Sequence, residues 1–145
     1  MITAMNHVSF TVSNLERSVA FYRDAIGLEY VNAFQRDEAF SARVTGIAGA
    51  SLKIAYLRTS NCSIELIEYL TPEGRKIDTA TCNVGSAHVC FNVDDFDASV
   101  DRVLSMGGSL AGERVVVPSG GNQGRSVAYL EDPDGNTIEF ISNAA

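Results

Sequence analysis

The sequence predicts an α+β fold in which two βαβββ modules follow each other in a chain of 145 residues, a length that suits one domain. Two observations predict this fold. The chain contains an internal repeat that begins at His7 and again at His88. In each copy, a segment with strand periodicity is followed by one with helix periodicity and then by further short strands.

The repeat aligns without a gap over 21 residues, at an offset of 81 positions. The identical positions are His7/His88, Val8/Val89, Phe10/Phe91, Val12/Val93, Ser18/Ser99, Val19/Val100 and Gly27/Gly108. Because the order of structural signals is also the same in both copies, the repeat indicates a duplicated structural unit.

Each copy begins with a strand in which apolar and polar residues alternate, as they do when one face of a sheet is buried. The apolar face holds Val8, Phe10 and Val12 in the first copy and Val89, Phe91 and Val93 in the second. The other face holds His7, Ser9 and Thr11, and then His88, Cys90 and Asn92. Both histidines therefore point away from the predicted core.

An amphipathic helix is predicted after each of these strands. Suitable N-caps, whose side-chain oxygens accept hydrogen bonds from free backbone N–H groups, are Ser13 or Asn14 and then Asp94 or Asp95. The predicted apolar stripes are Leu15, Val19, Tyr22 and Ile26, and then Phe96, Val100, Val103 and Leu104. Gly27 and the pair Gly107-Gly108 stand where a glycine commonly ends a helix.

Three further strands complete each module. They are predicted at roughly Glu29–Phe34, Leu52–Arg58 and Ser63–Leu70, and then at roughly Ser109–Val117, Ser126–Glu131 and Thr137–Ser142. Asp37–Val44 fits either a helix or a loop, and Asp132–Asn136 predicts a hairpin turn. Module one then covers about residues 5–70, a polar linker about 71–85, and module two about 86–143.

The last strands of the two modules also match. Ile64-Glu65-Leu66 corresponds to Ile138-Glu139-Phe140, at an offset of 74 positions. The apolar residues on both sides of each glutamate are expected to pack against the helices, so the carboxylate projects from the opposite face. Each module therefore contributes one histidine and one glutamate to the same kind of sheet face.

Two imidazoles and two carboxylates form a chemically suitable set of ligands for one divalent metal ion. Ni, Co, Zn, Mn and Fe(II) all accept such ligands, and the ligand types do not select among them. Coordination positions that the protein leaves open would accept substrate or water. The predicted ligands are His7, Glu65, His88 and Glu139. The alternative is a duplicated scaffold in which these polar positions are inherited without a function.

Composition and charge exclude several classes of partner. The net charge is −7 and there is no basic stripe, which argues against binding to nucleic acid or to an anionic membrane surface. No apolar run approaches the roughly 20 residues that span a bilayer, and the first residues do not resemble a secretion signal. Three cysteines without CxxC spacing favour reduced thiols and a cytoplasmic location. The expected partner is a small molecule.

The segments that begin at Asn6 and Ala87, together with "IELIEY" and "YLEDPDGNTIEFIS", resemble the vicinal oxygen chelate superfamily over essentially the whole chain. That superfamily includes glyoxalase I, methylmalonyl-CoA epimerase, extradiol dioxygenases, and fosfomycin and bleomycin resistance proteins. The resemblance implies paired modules that form a partly open mixed-sheet barrel around a metal ion. It also implies a homodimer and a set of metal ligands at His7, Glu65, His88 and Glu139, as in bacterial glyoxalase I.

The resemblance does not extend to a particular substrate. Bacterial glyoxalase I holds glutathione with an arginine four residues after the first histidine and an asparagine four residues after the first glutamate, and here these positions are Thr11 and Tyr69. The epimerases commonly have glutamine at the position of Glu65. They also have a His-Pro motif near the end of the chain, and this sequence has Asp132-Pro133 there.

The resemblance implies a metal-dependent lyase or isomerase that moves a proton next to a metal-bound carbonyl group of a small molecule. Glu139 or Glu65 is the expected base. Glu68 is a weaker candidate, because alternation turns it toward the apolar face, and a solvent-exposed strand end is the simpler interpretation. Ser9, Tyr69 and Asn92 are expected to line the substrate pocket.

Two other functions are open to this sequence. An Fe(II) ring-cleaving dioxygenase uses two histidines and one carboxylate, so a second glutamate argues against it. A metal-free protein that binds an antibiotic or another small molecule belongs to a different class, and such proteins usually lack the full set of ligands.

Overall fold

The computed structural model describes residues 1–143. They form two compact units, and the boundary between these units lies after Lys76. Each unit contains an open mixed sheet with a helix after its first strand. The predicted α+β class and its two βαβββ modules are therefore confirmed.

The first unit contains four strands and two helices. They are β1 (Val8–Thr11), α1 (Leu15–Asp24), β2 (Glu29–Arg36), α2 (Glu38–Thr45), β3 (Ser51–Arg58) and β4 (Ser63–Thr71). The strand order is β1-β4-β3-β2. The β1–β4 pair is parallel, and the other two pairs are antiparallel. The first and last strands of the module are thus hydrogen-bonded neighbours.

The second unit repeats this arrangement. Its elements are β5 (His88–Val93), α3 (Phe96–Ser105), β6 (Ser109–Leu110), β7 (Val115–Val116), β8 (Ser126–Glu131) and β9 (Thr137–Ser142). The strand order is β5-β9-β8-β6, and β7 also pairs with β8. As in the first unit, the first and last strands are parallel neighbours.

The core of each unit lies between its sheet and the helix that follows its first strand. In the first unit the fully or nearly fully buried side chains include Phe10, Leu15, Phe21, Tyr22, Leu57, Ile64 and Leu66. In the second unit they include Phe96, Val100, Val103, Leu130, Ile138 and Phe140. Burial of this apolar area is the main force that fixes which face of each strand turns inward.

The buried stripe of α1 differs from the prediction. Ser18 and Phe21 are buried, whereas Val19 and Ile26 are only half-buried. The face that packs on the sheet is formed by residues 15, 18, 22 and 25. The small side chain of Ser18 lets the helix approach the sheet closely. An apolar-only pattern misses this face because it does not count serine. In α3, the predicted Leu104 is likewise exposed.

The segment with two interpretations is a helix. Asp37 caps α2, since its Oδ1 accepts the N–H of Phe40 at 2.9 Å. Gly46 ends the helix at a φ of 72°, in the left-handed region where glycine is favoured. Asn14 and Asp95 cap α1 and α3 in the same way. Each is one of the two residues that the sequence predicted as the cap of its helix.

The strand predicted at Ser109–Val117 is interrupted. Only Ser109–Leu110 and Val115–Val116 pair with β8. Between them, Arg114 turns to α3 and forms ion pairs with Asp97 and Asp101. These interactions with the helix replace strand pairing in this segment. No strand or helix is assigned to residues 72–87, and β4 extends to Thr71, where the predicted linker was expected to begin.

Within the described residues, none of the helices has the length and apolar character needed to cross a membrane.

The turn between β8 and β9 is organised by one buried carboxylate. Asp132 is 3% exposed, and its Oδ1 accepts the backbone N–H groups of Asp134 and Asn136, each at 2.8 Å. Its Oδ2 accepts from the side-chain amide of Asn136 at 2.9 Å. The carboxylate therefore satisfies the free donors of the predicted hairpin turn and fixes where β9 begins.

We expect the substitution Asp132→Ala to lower the free energy of unfolding by about 1–3 kcal/mol, because it leaves two backbone N–H groups without their acceptor. Asp132→Asn retains a carbonyl oxygen and should lose less. Urea denaturation measures both changes. Glu113→Ala, at an exposed position of the same unit, is the control, and equal losses for Asp132→Ala and Glu113→Ala would contradict this role of the carboxylate.

Candidate functional site

The first unit holds His7 next to Glu65. Glu65 lies on β4, opposite Ser9 of β1. Ser9 is the second residue after His7. The distance from His7 Nε2 to Glu65 Oε2 is 3.3 Å. Glu65 is only 8% exposed although both of its neighbours on the strand pack in the core. The parallel pairing of β1 with β4 therefore holds an imidazole and a nearly buried carboxylate together.

A neighbouring side chain orients the ring of His7. Its Nδ1 lies 2.7 Å from Oδ1 of Asn6. When Nδ1 carries the proton, it donates to that oxygen, and the lone pair of Nε2 faces the carboxylate of Glu65. Two lone pairs at this distance repel each other unless a proton or a metal cation lies between them. A donor that fixes the other ring nitrogen is typical of metal-binding histidines.

The second unit repeats the pair. Glu139 lies on β9 opposite Cys90 of β5, again two residues after the histidine. The distance from His88 Nε2 to Glu139 Oε2 is 3.2 Å. The side chain of Glu139 is 19% exposed, compared with 10% for that of Glu65. The same register thus produces the same pair, with a more accessible carboxylate.

Each pair is completed by a tyrosine that the sequence analysis missed. Tyr56 lies opposite Glu65 on β3, and Tyr129 lies opposite Glu139 on β8. The signal was present in the sequence, since Ala-Tyr-Leu occurs at 55–57 and again at 128–130. This repeat lies on strands between the first and last strands of each module, outside the segments in which the two copies were aligned.

The two tyrosines make different contacts. The Tyr56 hydroxyl donates a hydrogen bond to Oε1 of Glu65. The hydroxyl of Tyr129 lies 3.5 Å from Nε2 of His88, and the two ring centroids are 5.0 Å apart. That oxygen–nitrogen distance is at the limit of a hydrogen bond. Glu65 is thus held by a specific donor, whereas the ring of Tyr129 packs against His88, whose Nε2 also faces Glu139.

The surroundings of the two carboxylates favour the protonated form of a nearby hydroxyl and of a nearby thiol. The pKa of Tyr56 is raised to about 12 by burial, by its hydrogen bond to Glu65 and by the charge of that carboxylate, while Arg36 acts in the opposite direction. The pKa of Cys90 is raised to about 11 by partial desolvation of the thiol and by Glu139, although the residue as a whole is exposed. Cys90 is therefore a neutral thiol near neutral pH, and a neutral thiol is a weak nucleophile.

The residues expected to line the pocket occupy different positions. Ser9 is next to Glu65 on the neighbouring strand and is exposed. Tyr69 lies four residues beyond Glu65, about 13 Å along β4. The side-chain oxygen of Asn92 accepts a hydrogen bond from Arg125, which also donates to the backbone oxygen of Ser142.

Glu68 does not reach solvent as a free strand end. Its Oε2 accepts the backbone N–H of Leu15, the first residue of α1, at 2.8 Å. As alternation predicts, it points to the helix side of the sheet. The carboxylate stabilises the N-terminus of α1, where the helix dipole favours negative charge. This role corrects the simpler interpretation of Glu68 as a solvated residue.

The donor atoms of each pair suit a divalent cation. Imidazole nitrogen and carboxylate oxygen bind zinc-like ions at about 2.0–2.2 Å, so two donors at right angles lie about 3 Å apart, close to the 3.3 Å and 3.2 Å seen in the two pairs. Across residues 1–143, no group of three or more histidine, cysteine, aspartate and glutamate side chains is arranged to hold a metal ion. Each unit therefore brings one imidazole and one carboxylate together.

Comparison with known proteins gives one family. A family model described as Glyoxalase/Bleomycin resistance protein/Dioxygenase superfamily matches residues 4–140. The chain is 29% identical to a lactoylglutathione lyase of Haemophilus influenzae, over 94% of this chain and 90% of that protein. It is 28% identical to a 2-epi-5-epi-valiolone epimerase of an Actinomyces species, over 96% and 79%.

Solved structures share the fold. A glyoxalase family protein from Bacillus cereus has a TM-score of 0.88 and 27% identity, covering 100% of this chain and 97% of that one. The fosfomycin resistance protein FosX from Listeria monocytogenes has a TM-score of 0.66 and 19% identity, covering 100% and 94%. At that identity the second likeness concerns the fold alone.

We expect Glu68→Ala to lower the free energy of unfolding by about 1 kcal/mol, since the N–H of Leu15 loses its acceptor. Glu68→Gln keeps a side-chain oxygen and should lose less than the alanine variant. Thermal and urea denaturation of both variants test this assignment. An alanine variant as stable as the wild type would contradict it.

Proposed function

The chain belongs to the glyoxalase/bleomycin resistance protein/dioxygenase superfamily, and we propose that it is a divalent-metal-dependent lyase or isomerase that moves a proton next to a carbonyl group of a small molecule. Relatives named as a lyase and as an epimerase support this reaction class. Both names fit a reaction in which a carbon loses a proton and then regains one.

The observation that carries the proposal is the repeated histidine–glutamate pair. We propose that His7, Glu65, His88 and Glu139 bind one ion, which is Ni, Co, Zn, Mn or Fe. When bound, such an ion polarises the substrate's carbonyl oxygen and stabilises the negative charge that develops when the neighbouring C–H bond loses its proton. The two carboxylates offset the charge of a divalent cation.

The two glutamates have different roles in this proposal. Oε1 of Glu65 is occupied by the Tyr56 hydroxyl and Oε2 faces His7, so this carboxylate is held in place. Glu139 is more exposed. We therefore assign Glu139 as the base that takes the proton from the substrate carbon and returns it, and Glu65 as a fixed ligand.

The remaining residues bind and orient the substrate in this proposal. Ser9 lies beside Glu65, and its hydroxyl is placed to hydrogen-bond an oxygen of the substrate. Asn92 and Tyr69 line the outer parts of the site. The expected substrate has a carbonyl group or neighbouring oxygens. The family resemblance favours a homodimer, and the three free cysteines suit a reducing cytoplasm.

Metal content is the first test of the proposed site. Wild-type protein purified without an affinity tag should contain about one divalent ion per chain, as expected for one site, and His88→Ala should lose most of it. Mass spectrometry of the intact and acid-treated protein measures the content. Glu113→Ala, at an exposed carboxylate away from the pair, is the matched control.

The outcome also separates the alternative functions. Wild-type protein that binds none of Ni, Co, Mn, Zn or Fe(II) would exclude the enzymatic proposal and favour a metal-free small-molecule binding protein. Oxygen uptake with a catechol in the iron-loaded protein would favour a ring-cleaving dioxygenase instead.

We expect Tyr56→Phe to weaken metal affinity by about 10–100-fold, the usual effect of removing a hydrogen bond to a ligand. Tyr129→Phe should have a smaller effect, since its hydroxyl makes only a 3.5 Å contact. Competition with a chelator measures both affinities, and thermal denaturation checks that both variants fold. Equal affinity of Tyr56→Phe and wild type would show that the hydrogen bond does not position Glu65 for binding.

A further inference from the structure

Arg36, the last residue of β2, lies between two phenyl rings. Its guanidinium carbon is 4.6 Å from the ring centroid of Phe34 and 5.1 Å from that of Phe40. Phe34 is on the same strand, and Phe40 is in the first turn of α2. A guanidinium held on aromatic faces by cation–π attraction keeps its N–H edges free for a ligand.

Arg36 differs from Arg58 and Lys53, the other basic residues of the same sheet, because among the described residues it forms no ion pair. On the same sheet, Arg58 pairs with Glu29 and Lys53 pairs with Glu16. Within residues 1–143, no carboxylate forms an ion pair with Arg36, although the chain has 18 acidic and 11 basic residues. The adjacent Asp37 caps α2, where its Oδ1 accepts the N–H of Phe40, and it forms no ion pair with Arg36.

A continuous row of rings joins Arg36 to the His7–Glu65 pair. The ring centroid of Phe34 is 6.1 Å from that of Tyr56, which is 5.7 Å from that of His7. The strand register places Phe34 opposite Ile54 and Arg36 opposite Leu52, on the face that also holds Tyr56. An aromatic surface therefore extends from the candidate ligands and ends at an unpaired cation.

We propose that Arg36, Phe34 and Phe40 form an anion-binding subsite, which receives a carboxylate or phosphate group at the far end of the substrate. The inference rests on the proposed function, because it assigns the substrate's carbonyl end to the His7–Glu65 side. The body of the substrate lies on Phe34 and is flat or apolar. The planar fork of arginine binds two oxygens of such a group at once.

The spacing limits the substrate's length. Arg36 lies opposite Leu52 of β3, four residues from Tyr56 on the same strand. Four residues of a strand extend about 13 Å. The side chain of Arg36 folds back over Phe34, two residues nearer. Arg36 on β2 is also two strands away from Glu65 on β4, or about 10 Å across the sheet. Together with roughly 7–13 Å along the strands, this separates the reacting carbonyl from the anionic group by roughly 12–16 Å, a distance that a ring with a side chain or a chain of about ten carbons spans.

A matched pair of probes tests the subsite. 4-Acetylbenzoate and 4-acetylbenzamide are shorter than this separation, so they probe the anion-binding end alone. They share a flat body and differ in the charge at one end. We expect the wild type to bind the benzoate about tenfold more tightly, the effect of one charge-assisted hydrogen-bonded pair. Titrations followed by NMR, on metal-loaded and on chelator-treated protein, measure both affinities. 4-Acetylphenyl phosphate shows whether phosphate or carboxylate is preferred.

Three variants assign the preference to Arg36. Arg36→Ala should remove it, and Arg36→Lys, which keeps the charge and loses the planar fork, should retain only part of it. Arg58→Ala is the control, because that arginine is paired with Glu29 on the same sheet. Equal binding of both probes by the wild type, no detectable binding of the benzoate up to its solubility limit, or a full preference in Arg36→Ala would overturn the subsite.

The result is separable from the test of the metal site. A charge preference that depends on Arg36 in chelator-treated protein supports the subsite whether or not the protein binds a metal. Conversely, a metal-binding protein without this preference leaves the proposed reaction standing and excludes the subsite.

Discussion

The parallel pairing of the first and last strands in each module is the constraint on which the candidate site depends. In both units the residue two positions after the histidine lies opposite the glutamate. The register is set by burial, because Ile64 and Leu66 must face the helix if their apolar area is to leave water. A slip of one residue would turn Glu65 into the core, where an unpaired carboxylate is very unfavourable.

Duplication preserved this geometry while the surroundings of the two carboxylates diverged. In the first unit, Tyr56 and Asn6 fix both partners of the pair, and little of Glu65 reaches solvent. In the second unit, Glu139 is more accessible, and its neighbour Cys90 is a neutral thiol. These unlike environments are the basis on which we propose different tasks for the two carboxylates, one as a fixed ligand and the other as a group that accepts a proton.

The sequence predicted the duplicated modules, most strands and the four candidate ligands because each rests on a short-range pattern. Alternation of apolar residues was enough to place His7 and Glu65 on the same face. Ser18 and the interruption before Val115 escaped prediction, since they depend on how closely a helix packs and on the ion pairs of Arg114. The contacts of Tyr56 and Arg36 likewise require the register between β2, β3 and β4, and a single sequence does not give this register.

Glu65 and Glu68 lie on opposite faces of β4 and have different roles. Glu68 turns to the helix side and secures the start of α1, while Glu65 turns to the opposite side beside Tyr56. Structural demands are thus confined to alternate positions of one strand. Side chains on the face of Glu65 can therefore change without removing the Glu68 contact that secures the start of α1, so new substrates can be acquired at this face at little cost to that contact.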